Sequence, residues 1–454
     1  MERSEGIVLL LPEDALAEIF RRLPPHSLAV LRCVCGAWRA FIDARRLLRK
    51  ELPHFLASFL LNFHLLKSLQ LLSHPSAASN AADLDLTVSG KLDHVYPLPS
   101  VHVMDHCNGL VLIHDTVANP ATRRSARLPL LPPSCLDRSP HRHFYANRYI
   151  AFDPAVSPHY EVLSVRRILY KQMSWHFDPA IEALEWPPSP CAMHIFSSRT
   201  GRWEETSFVR EGDAAGTVAD MRGDSIPRKR NAVYWQNKLY VLCETNILMR
   251  ISLSDRKYHI VKPPIGMCYR LYPNLYLGRS ENGVYCAFVD CSILQVWLLV
   301  ESHCQMEWML KHQTNDLRSM LQPRNRIGRC DTQWVLHNVS SYEDAIDEDA
   351  IYGEIFERDL DSHVLLEDEV LDDRYMANQI FSILGFHPYK DIVFLSQGVK
   401  RGLAYHFNNG KVEDIGCLYP PCYEEVTNQP YIEASFPYTP CLIGRFPETI
   451  HLEN

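Results

Sequence analysis

From residue 117 onward one short pattern keeps returning: a strand-like run, a polar turn, and a second run. The copies are VANPATRRSARLP from Val117, IFSSRTGRWEE from Ile195, ISLSDRKYHIV from Ile251, VWLLVESHCQMEWML from Val296 and YHFNNGKVEDI from Tyr405. Another apolar run precedes each copy, most clearly in CNGLVLI, NKLYVLC, NGVYCAF and KDIVFLS. The turns fall near Thr122, Thr200, Asp255, His303 and Asn409; two successive spacings are 55 and 48 residues, and the last, 106, is about double. Runs of this kind between turn residues read as strands. Four strands repeating near every 50 residues is the spacing of kelch-like propeller blades. Six or seven blades would account for residues 91–454. An irregular β-sandwich is the rival, because the copies are degenerate and two intervals do not fit.

The first fifty residues have a different texture. In LPEDALAEIFRRLPPHSLAVLRCVCGAWRAFI (residues 11–42), Pro12 sits where a helix can start, because N–H groups of the first turn are unpaired there anyway. Glu13 and Asp14 suit the positive end of the helix dipole. Leu16, Ile19, Phe20 and Leu23 then follow the i, i+3, i+4, i+7 spacing of one apolar face. Pro24 and Pro25 stop that helix. Leu28, Leu31 and Val34 give a second stripe, and Trp38, Phe41 and Ile42 a third beyond Gly36. Three short helices cannot bury a full core of their own, so this unit calls for a partner surface. Residues 51–90 read as a helical and loop linker, with an apolar first part (residues 47–72) and a Ser/Ala/Asn-rich second part.

Charge is unevenly spread over the 454 residues. The net charge is −8, yet residues 343–374 alone hold 14 acids and 2 bases, so the remainder is +4. That insert is the most acidic stretch of the β part. Residues 21–50 carry eight Lys or Arg against Asp43 alone, a basic patch that by charge alone suits nucleic acid, an acidic partner or a solvated helix face. No apolar run reaches the roughly 18 residues of a membrane span, and Ile7 to Leu11 is too short for a signal-peptide core. The 14 cysteines are scattered among apolar runs, as buried free thiols are. These features predict a chain of the cytoplasm, the nucleus or both.

Two resemblances follow from these residues. Leu11, Pro12, Asp14, Leu16, Ile19, Leu23, Pro24, Ser27, Leu28, Arg32, Val34, Trp38 and Arg39 recur in the order and spacing of an F-box, which the segment resembles. An F-box docks on the Skp-type adaptor of cullin-based SCF ubiquitin ligases. The resemblance implies that Leu11, Pro12, Leu16, Ile19, Leu23, Pro24, Leu28, Val34 and Trp38 pack the motif or meet the adaptor. HCNGLVLIHDTVANPATRRSARLP, FDPAVSPHYEVLSV, FSSRTGRWEETSFVREG, AVYWQNKLYVLC and GVYCAFVDCSILQVWLL are similar to the associated domain of a large plant F-box family. That resemblance implies a propeller-like, kelch-like domain that holds a target protein.

Motifs of enzyme chemistry are missing. The chain has no Gly-rich phosphate loop, no Gly-x-Gly-x-x-Gly, no Gly-x-Ser-x-Gly elbow and no His-Glu-x-x-His. Cys33 and Cys35 are too close for a usual zinc pair. Cys286 with Cys291, and Cys417 with Cys422, lack evident His partners. His102, His106, His141 and His143 read as ordinary loop or strand-end residues, and the acidic insert lacks the order of a calcium loop. The expectation is an α+β multidomain protein: a small all-α F-box at 5–50, the linker at 51–90, and an all-β propeller-like domain at 91–454 with the insert at 343–374. It is expected to be a non-catalytic substrate-recognition subunit of an SCF-type ligase, without cofactor or metal. Its partners would be the Skp-type adaptor, through it a cullin, and a protein substrate; membrane and nucleic acid are not among them. The alternative is an adaptor-binding protein with a non-degradative or competitor role.

Overall fold

A strand buried on both faces has no reason to alternate, and this chain's apolar runs do not alternate. LVLI, FLLNF, KLYVL and IVFLS lie almost wholly buried as strands. The computed structural model describes residues 13–23, 31, 37–38, 41–42, 45, 56–73, 102–132, 143–154, 156–171, 177–223, 231–264, 274–280, 282–290, 292–302, 305–314, 316–320, 334–338, 381–427 and 430–441. Within them it is mostly β, preceded by helix α1 (Glu13–Arg21) and by helical residues at 31, 37–38 and 41–42.

The β part begins with β1 (Ser58–Phe63) and β2 (Gln70–Ser73). The first sheet is β3 (Val103–Cys107), β4 (Leu110–Ile113), β5 (Thr116–Asn119) and β6 (Arg124–Arg127). The second is β7 (Phe144–Ala151), β8 (Glu161–Ile168), β10 (Cys191–Ser197) and β11 (Arg202–Glu211); a small excursion pairs β9 (Glu185–Trp186) with β12 (Gly216–Thr217). The third is β13 (Ala232–Trp235), β14 (Lys238–Leu242), β15 (Leu248–Ser252) and β16 (Lys257–Val261). The fourth is β17 (Asn274–Ser280), β18 (Gly283–Asp290), β19 (Ile293–Ser302) and β20 (Gln305–Gln313). After β21 (Val335–Asn338) comes the fifth: β22 (Phe381–Phe386), β23 (Ile392–Gln397), β24 (Arg401–His406) and β25 (Lys411–Gly416). The last strand, β26 (Ile432–Tyr438), joins β1, β2 and β21 in a sixth sheet, ordered β26-β1-β2-β21. All six are antiparallel, and a short parallel pairing of β11 with β16 links the second and third.

The sheets stand side by side in a closed cycle. First strands touch in the order β3, β7, β13, β17, β22, β26 and back to β3. One apolar cluster fills each of the six gaps. Tyr149, Val165, Leu239 and Ile251 pack between the second and third sheets; Tyr285, Val296, Ile383 and Val393 pack between the fourth and fifth. A polar tie also crosses every gap. Asn62 on β1 grips Val103 through both amide groups, at 2.8 and 3.2 Å. Asp105 accepts from Ile150 N–H at 2.9 Å. Arg167 donates to Leu242 C=O at 2.9 Å, while Ile168 N–H donates to Glu244 at 3.1 Å. Asn231 grips Leu277 as Asn62 grips Val103. Ser280 donates to Lys390 C=O at 3.3 Å, and Ser435 to Leu384 C=O at 2.6 Å. Such ties satisfy backbone groups whose loss in a buried gap costs about 1–3 kcal/mol each.

The predicted turns map onto one recurring place. Thr122, Thr200, Asp255 and Asn409 lie in the hairpins joining third and fourth strands of the first, second, third and fifth sheets. His303 lies outside the described residues, between β19 and β20, the corresponding pair of the fourth. The long last interval arises because β21 lies between the fourth and fifth sheets in sequence yet completes the sixth.

The linker at 51–90 needs correction. Its residues 56–73 are not helical: β1 and β2 are inner strands of the sixth sheet, so the β part starts near 56 rather than 91. Phe59, Leu60, Leu61, Phe63, Leu71 and Leu72 are buried on both sides, and a run apolar on both faces is indistinguishable in sequence from a buried helix. The acidic insert at 343–374 lies outside the described residues. No helix among the described residues is long and apolar enough to cross a membrane.

Candidate docking surface

Helix α1 is amphipathic, and its faces have different fates. Ala17 and Phe20 are buried, and Phe20 forms a small cluster with Ile42. Leu16, Leu23, Leu31, Trp38 and Phe41 pack around that pair. The Phe20 ring meets Trp38 edge-on at 5.5 Å between centroids and Phe41 at 5.8 Å, geometry that aromatic quadrupoles favour. Arg45 closes the unit: it pairs with Asp14 at 2.8 Å and lies 5.7 Å over the Phe41 ring. Glu18 and Arg22 add an i,i+4 pair at 3.5 Å on the outer face. Exposed pairs of this sort add at most about 1 kcal/mol, so the aromatic cluster sets the shape.

Ile19 is the exception. It follows the same apolar spacing in sequence, yet 47% of it is exposed. Turning one residue from the Phe20 position moves it off the packed face. Of the nine residues expected to pack the motif or meet the adaptor, Leu16, Leu23 and Trp38 are thus in the cluster and Ile19 faces out. Leu11, Pro12, Pro24, Leu28 and Val34 lie outside the described residues. Phe20 and Ile42, the two residues at the centre of the cluster, are in sequence only members of the apolar stripes. Their spacing matched that of their neighbours, and spacing alone does not rank burial.

Residues 8–50 match the F-box domain family. The chain carries an F-box domain. Such a domain binds the Skp-type adaptor of SCF-type ubiquitin ligase complexes, and proteins that carry it are typically non-catalytic subunits. No curated protein matches the chain. Among solved structures, the computationally designed Ika8 protein is similar at 10% identity over 70% of this chain and 88% of that one, with a TM-score of 0.24. A superposition that loose carries no argument about fold or activity.

The residues weighed for metal chemistry are dispersed. Cys286 is buried between the third and fourth sheets, and Cys417 and Cys422 are exposed free thiols. His106 packs edge-on against Phe436 at 5.5 Å, and burial, with Arg279 nearby, pushes its imidazole down to about 3. His143 is buried against Phe177 at 4.4 Å, and His102 lies 4.0 Å from Glu433. Among the described residues no three His, Cys, Asp or Glu side chains come together. Cys33, Cys35, Cys291 and His141 lie outside them.

Proposed function

We propose that this chain is the substrate-recognition subunit of an SCF-type ubiquitin ligase. In this reading the F-box holds the Skp-type adaptor and, through it, a cullin. The cycle of six sheets is a kelch-like propeller of six blades, closed by pairing β26 with β1, and it holds a protein target. The associated domain of the plant F-box family is the relative this arrangement resembles, and the working compartment is the cytoplasm, the nucleus or both. The chain does no bond-making itself. It contributes proximity, holding the target where the ligase's ubiquitin-carrying enzyme reaches its lysines.

The observation that carries this reading is the F-box match at residues 8–50, with Ile19 left open beside a finished aromatic cluster. An aliphatic side chain half in water gains roughly 1 kcal/mol or more when a partner covers it. Ile19→Asp places a charge in that contact without touching the cluster. Adaptor co-purification is expected to fall at least tenfold, and the paired change Leu11→Ala with Pro12→Ala is expected to act in the same direction. Thermal unfolding of the β part should not move. Full co-purification by both variants would contradict the docking role.

A further inference from the structure

The first strands of the sheets end around a common mouth, and one cation sits in it. The cleft there has an empty volume of ≈ 590 Å³, its opening to solvent included, and takes Asp105, His106, Asn108, Tyr276 and Arg279 into its lining. Arg279 belongs to β17 of the fourth sheet, yet its guanidinium donates to the Asn108 side-chain oxygen in the β3–β4 turn of the first. In a cycle of six, those two sheets face each other, so the contact carries the guanidinium across the axis. Asn108 is anchored in turn, its amide donating to Phe152 C=O at 2.5 Å. Tyr276 is committed to Ser435 C=O at 2.9 Å, and the Asn231 amide to Leu277.

Arg279 itself is not committed. Among the described residues no carboxylate lies within ion-pair distance of it, and one contact to Asn108 uses little of a five-donor fork. The other ionisable groups of the mouth do not compensate. Burial pushes the Asp105 carboxyl up to about 8 against the pull of the Ile150 and His106 N–H groups, and His106 is neutral. Among the residues that line the cleft, Arg279 is thus the one charged side chain near pH 7; outside the lining, the Asp153 carboxylate acts on Cys107 and Tyr234. A partly desolvated guanidinium without a counter-ion is matched best by a planar carboxylate, which it grips through two parallel hydrogen bonds. Tyr234, only partly buried, lines the same cleft and offers apolar surface beside that grip, while Phe436 forms the buried floor behind His106.

We propose that this axial mouth is a carboxylate-binding subsite in which Arg279 takes an acidic side chain of a target polypeptide, its neighbouring apolar residue resting on Tyr234. This deepens the target-binding reading and rests on it for the source of the carboxylate. The chemistry is testable without adaptor or ubiquitin, so the subsite and the ligase role fail separately. The full chain would be titrated by calorimetry with acetyl-Phe-Glu-amide, acetyl-Phe-Gln-amide, phenylacetate and phenylacetamide. The Glu peptide is expected to bind at least tenfold more tightly than the Gln peptide. Arg279→Gln should erase that difference and Arg279→Lys should keep part of it, which a merely structural strut would not do. Equal binding of the Glu and Gln peptides by the native chain overturns the subsite, even if Arg279→Gln fails to fold. So does a difference that survives in Arg279→Gln. Phenylacetate binding as tightly as the Glu peptide, with phenylacetamide weak, overturns the polypeptide as source.

Discussion

Arg167 and Glu244 show how much a single buried charge matters here. Their side chains are 1% and 2% exposed, with the guanidinium Nε 3.1 Å from the carboxylate. Each also holds the backbone of the other's sheet, at Leu242 and Ile168. Glu244→Gln would leave Arg167 buried and uncompensated, so urea unfolding should show a loss of about 3–5 kcal/mol. Replacing both with apolar residues of similar volume, Arg167→Met with Glu244→Leu, should cost less than the single change. Asp105 gives a pH signature. Its carboxyl, raised by burial from 3.8 to about 8, binds a proton in the folded state that the unfolded chain has already released, so stability falls as pH rises through that window. His106, lowered from 6.5 to about 3, acts oppositely, its contribution being lost as pH falls below 6.5. Between pH 6.5 and 8 only Asp105 of this pair titrates. The unfolding free energy from urea titrations should drop across that interval by up to about 1.4 kcal/mol per pH unit, and Asp105→Asn should flatten the drop.

At the level of elements, hairpins were legible and the closing strands were not. The turn expected near Thr122 lies there, and the structure shows why: the Asn119 side chain accepts from Ala121 and Thr122 N–H at 3.1 and 3.3 Å. Its amide also donates to Cys441 C=O at 3.0 Å, a tie to a residue 322 positions away that no local pattern could signal. Asn108-Gly109, inside the apolar run CNGLVLI, turns out to be the β3–β4 turn, with φ of 47° and 86° as the two-residue hairpin requires. An added Cβ at Gly109 would fall 2.4 Å from Cys441 Cβ, so this position demands glycine twice over. The amphipathic stripe of α1 was legible too, but not that Ile19 leaves it, since one helical position separates packed from open. By contrast β1 and β2 look like linker in sequence, because nothing in SFLLNF shows that its partner is β26, far along the chain. The error has a measurable consequence. A chain starting at residue 51 should melt cooperatively, whereas one starting at 91 loses β1, β2 and their six large buried side chains. At about 1.5–3 kcal/mol each, that loss is of the order of a domain's whole stability. Circular dichroism should show no cooperative transition for the shorter chain, and an unchanged melting temperature would show that the sixth sheet is dispensable.

Taken whole, the molecule joins a helical docking unit to a ring closed by the pairing of its first strand, β1, with its last, β26. That arrangement fits a protein with two jobs at two places. In the proposed reading the F-box would offer Ile19 to an adaptor, and the ring would offer the axial mouth to a target. Because the ring starts near residue 56, the F-box can be removed without cutting a sheet, which makes the two jobs separable by experiment. The decisive measurement uses that separation. The full chain and a chain starting at residue 51 would each be expressed with the proteasome blocked, and proteins captured by both would be taken as target candidates. Their half-lives would then be measured with the proteasome active. The expected result is that the full chain shortens the half-life of at least one shared target while the chain lacking the F-box leaves it unchanged or lengthens it. Half-lives equally unaffected by both chains, with the adaptor bound only by the full one, would contradict a role in target degradation.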